Sequence, residues 1–411
     1  MKRIDYDVCA AVVSDLSFDA RVWKEVRSLT RAGYRVRLIG CGYELPGPRR
    51  SSVDGVDVLE ISLGSRAGAV SVVRRARTLL RLWLEIVRTR ARVYHAHNIH
   101  VGPAAWVASR ARGRALVYDA HELYGDSAAA DRLSRVSARV AGRVERFMVR
   151  RSDSVITTNP SRAELLQHRH GRQSIVVLAN VPERRNHVAP LDPGYPRDKP
   201  VILYQGGIYA RTRAFRQTIA ALTMLEDAEF VILGFGREDD LALIRFWAEE
   251  EGVERRVHLL PPRPFDELVR TAAAATVGIV PILTIDSRTW TGDTNKLFEY
   301  LMAGLPVAAS DIPEIRRVIA VGDPPPGELF DATSPASIAK AVTRILENPQ
   351  KYSERRKVAR ALALAEHNWN AQESRLLEVY SSMLDGGDHE PVDAGSRKAG
   401  LAYDEASGDD L

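Results

Sequence analysis

The fold is decided by one stretch of the sequence, Thr291-Gly-Asp-Thr-Asn-Lys-Leu-Phe-Glu-Tyr-Leu-Met-Ala-Gly-Leu-Pro-Val-Ala-Ala-Ser-Asp311. Its pattern predicts a polar loop, then a helix with Thr294 as N-cap, and then a short buried strand over Val307–Ala309. Gly304 and Pro306 end the helix, because glycine tolerates the conformation of a helix C-terminus and proline cannot continue it. This order of elements is typical of an α/β domain with a parallel sheet.

The start of this helix is predicted to bind a phosphate. The backbone N–H groups around Thr294, Asn295 and Lys296 lack partners within the helix, and the helix dipole places positive charge there. Lys296 adds a cation in the first turn. Glu299 follows one turn later on the same face, where its carboxylate can accept from two adjacent sugar hydroxyls. The alternative for Glu299 alone is a solvated carboxylate.

Short β-branched runs alternate with helical patterns along the rest of the chain. One such pattern is Arg21–Ala32, in which three apolar residues share one face. The alternation implies crossover connections and parallel sheets covered on both faces. Five prolines between Val181 and Pro200 interrupt it, and it restarts at Val201–Gln205. The sequence therefore predicts two similar domains joined by a linker.

The expected division of the chain follows these boundaries. A first Rossmann-like domain covers residues 1–182, a linker 183–200 and a second Rossmann-like domain 201–368, while a helix at about 370–384 packs back onto the first domain and 386–411 form a disordered tail.

Charge is divided unevenly between the two parts. Residues 1–182 hold 31 Lys+Arg and 17 Asp+Glu, a net charge of +14, whereas the whole chain has a net charge of +5. This asymmetry indicates that the first domain faces an anionic partner. Cys9 and Cys41 lie in apolar runs, and neither a signal peptide nor a membrane span is recognised, so we expect a cytoplasmic protein.

A second glycine-containing turn is also predicted to contact the ligand. The run from Tyr204 to Phe215 follows an apolar strand and leads into a helix. Gly206 and Gly207 allow the backbone to approach a ligand closely. Arg213 follows in the same turn, and a guanidinium suits a diphosphate because it stays charged and binds two oxygens. The alternative is a solvated loop arginine.

Together these segments resemble the nucleotide-sugar site of the retaining glycosyltransferases of family 4 (GT4). The resemblance implies an α/β fold of the GT-B type, with two Rossmann-like doubly wound domains facing a cleft. It implies that Glu299 binds the ribose hydroxyls and that the helix start at Thr294, Asn295 and Lys296 binds the diphosphate. Arg213 falls where the family has a lysine, and Gly304–Asp311 is similar to the family's Gly-x-Pro continuation.

Two positions depart from the family pattern. Thr291 stands where many members have a glutamate that holds the transferred sugar, and Gly207 stands where they have an arginine. A non-catalytic partner subunit that resembles a glycosyltransferase therefore stays open. The histidines between His95 and His121 keep open a second alternative, a GT-B-fold sugar-nucleotide epimerase.

The first domain is expected to bind the acceptor. His121 follows a predicted strand, where α/β sheets place ligands, and the resemblance implies a catalytic histidine near the transferred sugar; the alternative is a structural histidine. Asp15, Asp19 and Arg21 follow the first strand and are acceptor-side candidates, with Asp19 alternatively an N-cap. His95, His97 and His100 crowd another strand end, but their spacing does not match a closed metal site.

The resemblance implies transfer of a sugar from a nucleotide-diphosphate sugar with retention of configuration. Asp5-Tyr6-Asp7 has the Asp-x-Asp form of a metal site, but it precedes the first strand. We therefore expect no metal and no other cofactor, with cationic side chains and helix N–H groups stabilising the leaving diphosphate. The expected partners are the nucleotide-sugar donor and a glycan, lipid-linked or small-molecule acceptor, without nucleic acid.

Two arginine-rich helical patterns lead to a membrane hypothesis. One carries Arg132, Arg135, Arg139, Arg143, Arg146 and Arg150, and the other Arg74, Arg75, Arg77, Arg81 and Arg88. Basic amphipathic helices can lie on an anionic bilayer, which would place the protein on the inner face of the plasma membrane. The alternative is that both are ordinary covering helices.

Overall fold

The computed structural model describes residues 5–43, 45–64, 72–124, 135–192, 194–195, 198–284 and 295–384. The predictions for Thr291, Thr294, Arg132 and residues 386–411 lie outside these ranges. Within them, the chain forms two α/β units, each built on its own sheet.

The first sheet has eight strands in the order β3-β4-β2-β1-β5-β6-β7-β8. Its strands are β1 (Tyr6–Asp15), β2 (Val36–Tyr43), β3 (Arg49–Val53), β4 (Val56–Gly64), β5 (Ala91–His97), β6 (Ala115–Asp119), β7 (Ser154–Thr157) and β8 (Val176–Val177). The pairing is parallel except between β3 and β4. The strand order reverses between β1 and β5, which is where doubly wound sheets place a ligand.

Within the described ranges, five helices connect the parallel strands of this sheet. They are α1 (Ala20–Arg31), α2 (Val72–Arg88), α3 (Gly102–Arg110), α4 (Arg135–Arg151) and α5 (Pro160–His170). The interior of the unit is apolar on both faces of the sheet, because the central strands are buried along most of their length.

The second sheet has six parallel strands in the order β11-β10-β9-β12-β13-β14. Its strands are β9 (Val201–Gln205), β10 (Glu229–Leu233), β11 (Val257–Leu260), β12 (Val277–Val280), β13 (Val307–Ser310) and β14 (Gly327–Phe330). Its helices are α6 (Phe215–Ala221), α7 (Glu238–Glu250), α8 (Leu268–Ala272), α9 (Asn295–Ala303), α10 (Pro313–Ile319), α11 (Pro335–Leu346) and α12 (Pro349–Ala365). The predicted two-sheet, doubly wound α/β architecture is therefore confirmed.

The last described helix, α13 (Trp369–Leu384), packs on the first unit. The indole of Trp369 donates to Ser28 Oγ at 2.8 Å, and the hydroxyl of Tyr380 lies 2.6 Å from His95 Nδ1. The chain thus crosses between the units twice, once near residue 182 and once near residue 369, and both crossings lie beside α1.

Candidate functional site

One buried tyrosine determines where α9, which carries the predicted ligand-binding residues, packs on the second sheet. Tyr300 of α9 donates to Leu203 O at 2.9 Å and accepts from Gln205 N at 3.0 Å. The ring fits because residue 278 is glycine: an added Cβ there would lie 2.4 Å from Tyr300. These contacts hold α9 against the carboxyl end of β9, so that the Gln205 amide donates to Glu299 at 2.5 Å.

Lys296 lies in the first turn of α9, three residues before Glu299. Its side chain is buried, and its ammonium group lies 4.8 Å from the centre of the Tyr204 ring. Gly206 has a φ of +122°, and a Cβ added to it would lie 3.6 Å from Lys296 Nζ. Burial and the nearby charge of Arg213 lower the pKa of Lys296 to about 7, against the opposing effect of Glu299.

Arg213 lies in the turn after β9, near enough to Lys296 for its charge to lower the pKa of the lysine. Its guanidinium lies 5.9 Å from the Tyr209 ring, and its Nε is buried without a hydrogen-bond partner among the described residues. Tyr209 can approach because residue 207 is glycine: a Cβ added there would lie 2.6 Å from the tyrosine ring. The departure at Gly207 thus makes room for an aromatic side chain beside Arg213.

These residues give the carboxyl end of the second sheet a defined chemistry. Lys296 and Arg213 supply two cations, while burial raises the pKa of Glu299 despite the opposing hydrogen bond from Gln205 and charge of Lys296. The arrangement can hold an anion on the cations and a diol on the carboxylate. It brings together the predicted residues Gly206, Gly207, Arg213, Lys296 and Glu299; Asn295 is exposed at the first position of α9.

A second cluster of charged side chains lies at the carboxyl ends of β5 and β6 in the first unit. Arg21 binds Asp119 with two hydrogen bonds of 2.8 and 3.1 Å and lies 3.1 Å from Glu25. His97 and His121 approach the same carboxylate through their Nδ1 atoms, at 3.2 and 3.0 Å. All of them are buried except His121, whose side chain is 19% exposed.

The buried part of this cluster has the residue types of a cation site. Glu25, His95, His97 and Asp119 each offer a ligand atom, and these atoms lie within 4.8 Å of one another. The guanidinium of Arg21 lies among them, bound to both carboxylates. It already supplies the positive charge that the carboxylates require, so the donor set does not fit an additional divalent cation.

The three acceptor-side candidates have structural contacts. Asp15 accepts from Ser17 N at 3.1 Å, and Asp19 accepts from Val22 N at 3.2 Å as the N-cap of α1. The side chain of Arg21 is buried and bound to Asp119. Its role in the structure is therefore to organise the His121 cluster.

Lys24 lies near charged residues of both clusters. Its ammonium group donates to Asn180 Oδ1 at 3.1 Å and to Val181 O, and it lies 5.3 Å from the Trp369 ring. Burial and the charge of Arg21 lower the pKa of Lys24 to about 8, while the charge of Glu299 acts in the opposite direction. The charge of Lys24 thus acts on residues of both clusters from its place beside Asn180 and Val181.

Sequence reasoning missed Lys24, Glu25, Gln205 and Asn98. Asn98 follows β5, has a φ of +71°, and donates from its amide to His121 Nε2 at 3.0 Å. Gln205 could have been found, because it stands at the end of a predicted strand directly before Gly206. The backbone conformation of Asn98 and the tertiary contact of Lys24 leave no such signal in the sequence.

Comparison with known proteins identifies the family. Residues 19–181 match the family described as glycosyl transferase 4-like domain, and residues 199–348 match the family described as glycosyl transferases group 1. The chain belongs to the GT-B glycosyltransferases of family 4. It is therefore an enzyme of the transferase class, as the sequence motifs predicted.

Two relatives of this GT4 glycosyltransferase both have inositol in their names. It is 26% identical over 326 residues to D-inositol 3-phosphate glycosyltransferase of Streptosporangium roseum, covering 73% of this chain and 71% of that protein. It is 30% identical over 206 residues to phosphatidyl-myo-inositol mannosyltransferase of Mycolicibacterium smegmatis, covering 48% of this chain and 49% of that protein.

Solved structures show the same fold. Sucrose-phosphate synthase from Thermosynechococcus elongatus matches with a TM-score of 0.68 at 18% identity, covering 92% of this chain and 99% of that chain. HepE of Anabaena, solved in complex with UDP-glucose, matches with a TM-score of 0.69 at 16% identity, covering 92% of this chain and 100% of that chain.

In the described part of this GT4 glycosyltransferase, no helix has the length and apolar character needed to cross a membrane.

Proposed function

We propose that this glycosyltransferase transfers a hexose-type sugar from a nucleotide-diphosphate sugar bound mainly to the second unit. The observation that carries the proposal is the convergence of Lys296, Arg213 and Glu299 at the carboxyl end of the second sheet. The two cations match a diphosphate, and the carboxylate matches the paired hydroxyls of a ribose. HepE, which has the same fold, was solved with UDP-glucose.

We further propose that departure of the nucleoside diphosphate needs no metal ion. Lys296 and Arg213 would neutralise the charge that develops on the leaving group, together with the first N–H groups of α9. Lys296 is suited to this task because it is already desolvated, and a buried charge interacts more strongly with a phosphate than a solvated one. Retention of configuration is part of the same proposal and rests on membership of GT4.

The acceptor is proposed to be an anionic polyol or an anionic lipid. The first unit carries a net charge of +14 over residues 1–182, and such an excess favours an anionic partner. The two relatives are named for D-inositol 3-phosphate and phosphatidyl-myo-inositol. Both names describe a phosphorylated cyclitol, which is consistent with the charge of this unit.

We propose that α2 and α4 form an anionic-membrane surface on the outside of the first unit. Arg81 and Arg88 of α2 and Arg139 and Arg143 of α4 are exposed. Apolar side chains are exposed among them: Val73, Leu80 and Leu84 on α2, and Val140 on α4. Exposed apolar residues beside arginines suit the boundary between headgroups and acyl chains, which would place the enzyme on the cytoplasmic face of a membrane.

The proposal is tested with a panel of donors and acceptors. The purified protein is incubated with UDP-, GDP- and dTDP-hexoses, alone and with inositol phosphate or phosphatidylinositol vesicles. We expect acceptor-dependent release of one nucleoside diphosphate and a glycoside whose anomeric configuration, determined by NMR, matches that of the donor. Sugar isomerisation without transfer would support an epimerase, and failure of all donors and acceptors would overturn the proposed substrates.

A further inference from the structure

The Asp119 carboxylate lies at the centre of the buried cluster in the first unit. It stands at the last position of β6 and is fully buried. Arg21 binds both of its oxygens, through Nε at 2.8 Å and Nη2 at 3.1 Å. Two bonds from a planar guanidinium fix the orientation of a carboxylate, so Asp119 presents Oδ2 to His121 in one direction.

This contact determines which nitrogen of His121 carries the proton. Burial alone would raise the pKa of Asp119, but the charge of Arg21 and the hydrogen bonds from His121 and His97 hold that pKa well below its usual value. The ionised carboxylate can only accept hydrogen bonds. His121 Nδ1, 3.0 Å away, must therefore donate, which leaves Nε2 of the neutral ring as an acceptor.

The contact on the other side of the ring agrees with this assignment. Asn98 Nδ2 lies 3.0 Å from His121 Nε2 and can only donate to it. The Asn98 backbone has a φ of +71°, a left-handed conformation that few residues other than glycine adopt. Its side-chain oxygen is buried without a hydrogen-bond partner among the described residues. The left-handed backbone thus holds an amide donor at the nitrogen that Asp119 leaves unprotonated.

We propose that Asp119, oriented by Arg21, is a positioning residue that fixes the Nδ1–H tautomer of His121 and so presents Nε2 as a hydrogen-bond acceptor to a hydroxyl of the sugar. The sugar hydroxyl would take the place of the Asn98 amide at that nitrogen. The proposal rests on the proposed function for the identity of the ligand. The tautomer itself is a property of the free protein.

The tautomer is tested without substrate. Long-range ¹H–¹⁵N NMR spectra of protein labelled at histidine nitrogens distinguish the two tautomers, and His121→Gln identifies the signal of His121 by its loss. We expect a protonated Nδ1 and an unprotonated Nε2. A signal protonated at Nε2 would overturn the proposal, even if the enzyme transfers sugar as proposed. Absence of any transfer would overturn only the proposed function.

A kinetic cycle separates positioning from a structural role. Asp119→Asn removes the ionised acceptor at Nδ1, so the Nδ1–H tautomer is no longer fixed; we expect kcat/KM to fall about ten- to a hundredfold. The glutamine amide of His121→Gln can rotate to offer an acceptor without Asp119. Asp119→Asn should therefore have little further effect when combined with His121→Gln, whereas a purely structural role would lower activity equally in both backgrounds. If Asp119→Asn does not fold, the NMR spectrum of the unmodified protein still decides.

Discussion

The side-chain amide of Gln205, at the end of β9, donates a hydrogen bond of 2.5 Å to the Glu299 carboxylate in α9. The bond joins the first strand of the second unit to the helix that carries Lys296. It occupies one oxygen of the carboxylate, and the charge of Lys24 in the first unit acts on the same carboxylate. The donor site is therefore set by contacts between elements that are far apart in the sequence.

Loss of the Glu299 carboxylate is expected to impair transfer. In Glu299→Ala the ribose would lose a charge-assisted acceptor, and in Arg213→Ala the diphosphate would lose a cation. Each change is expected to lower kcat/KM by about thirty- to a few thousandfold, since such losses cost on the order of 2–5 kcal/mol. Arg211→Ala is the matched control, because Arg211 is exposed in the same turn. Near-normal activity in both site variants would contradict the assignment.

Binding of a nucleoside diphosphate is expected to take up a proton. The pKa of Lys296 is lowered from 10.5 to about 7, and a bound diphosphate favours the charged form and raises that pKa. Above about pH 7 the lysine must gain a proton on binding, so affinity should fall as pH rises, by at most about tenfold per pH unit. Isothermal titration calorimetry of UDP or GDP in buffers with different ionisation enthalpies measures this uptake. Lys296→Met should abolish it, and uptake that persists in this variant would assign it to another group.

Transfer is expected to survive removal of divalent metal ions. Lys296 and Arg213 provide positive charge where the proposed diphosphate binds, and Arg21 occupies the buried carboxylate cluster of the first unit. Activity is measured after treatment with EDTA, and again after addition of Mg²⁺ or Mn²⁺. Complete loss that either ion restores would show that a metal, not these side chains, stabilises the leaving group.

The contact between α13 and the first unit is expected to contribute to stability. Tyr380→Phe removes the 2.6 Å hydrogen bond to His95 Nδ1 and leaves a buried polar atom without its partner. The expected cost is about 1–3 kcal/mol in the free energy of unfolding, seen as a lower midpoint in urea. Tyr209→Phe is the control, because Tyr209 is 40% exposed. An unchanged midpoint in Tyr380→Phe would show that this contact does not contribute.

Reversal of the exposed charge on α4 is expected to weaken membrane binding. The protein should sediment with phosphatidylglycerol vesicles but not with neutral ones, and less so as salt rises. Combined Arg139→Glu, Arg143→Glu and Arg146→Glu should abolish this binding, whereas the same reversal at Arg216, Arg237 and Arg245 of the second unit should not. Equal binding to both vesicle types would leave the α2–α4 surface without a role.

Much of the fold could be predicted from the sequence, because buried parallel strands have a strong apolar signal. The strand predicted at Val307–Ala309 lies within β13 (Val307–Ser310), and the helix predicted at Arg21–Ala32 is α1 (Ala20–Arg31). The hairpin strand β3 was missed, because Arg49-Arg50-Ser51-Ser52 is an exposed edge without apolar alternation. Only its pairing with β4 makes it a strand.

The sequence predicted those parts of the candidate site whose residues are close together in the chain. It did not predict the parts that depend on tertiary packing. Lys296 and Glu299 are one turn apart on a helix, so their common face is a local property. Arg21 was expected at the acceptor, but its position on α1 turns it toward Asp119, which is 98 residues away in the chain. Periodicity places apolar residues inside, and it cannot show that a buried ion pair accompanies them.

The central claim is that α9 and the turn after β9 together hold a nucleoside diphosphate. A crystal structure of the protein with UDP or GDP, whichever binds in calorimetry, tests it most directly. The account predicts the diphosphate within hydrogen-bond distance of Lys296 and Arg213 and the ribose hydroxyls on Glu299. A nucleotide bound elsewhere, or a diphosphate held through a metal ion without contact to these side chains, would contradict it.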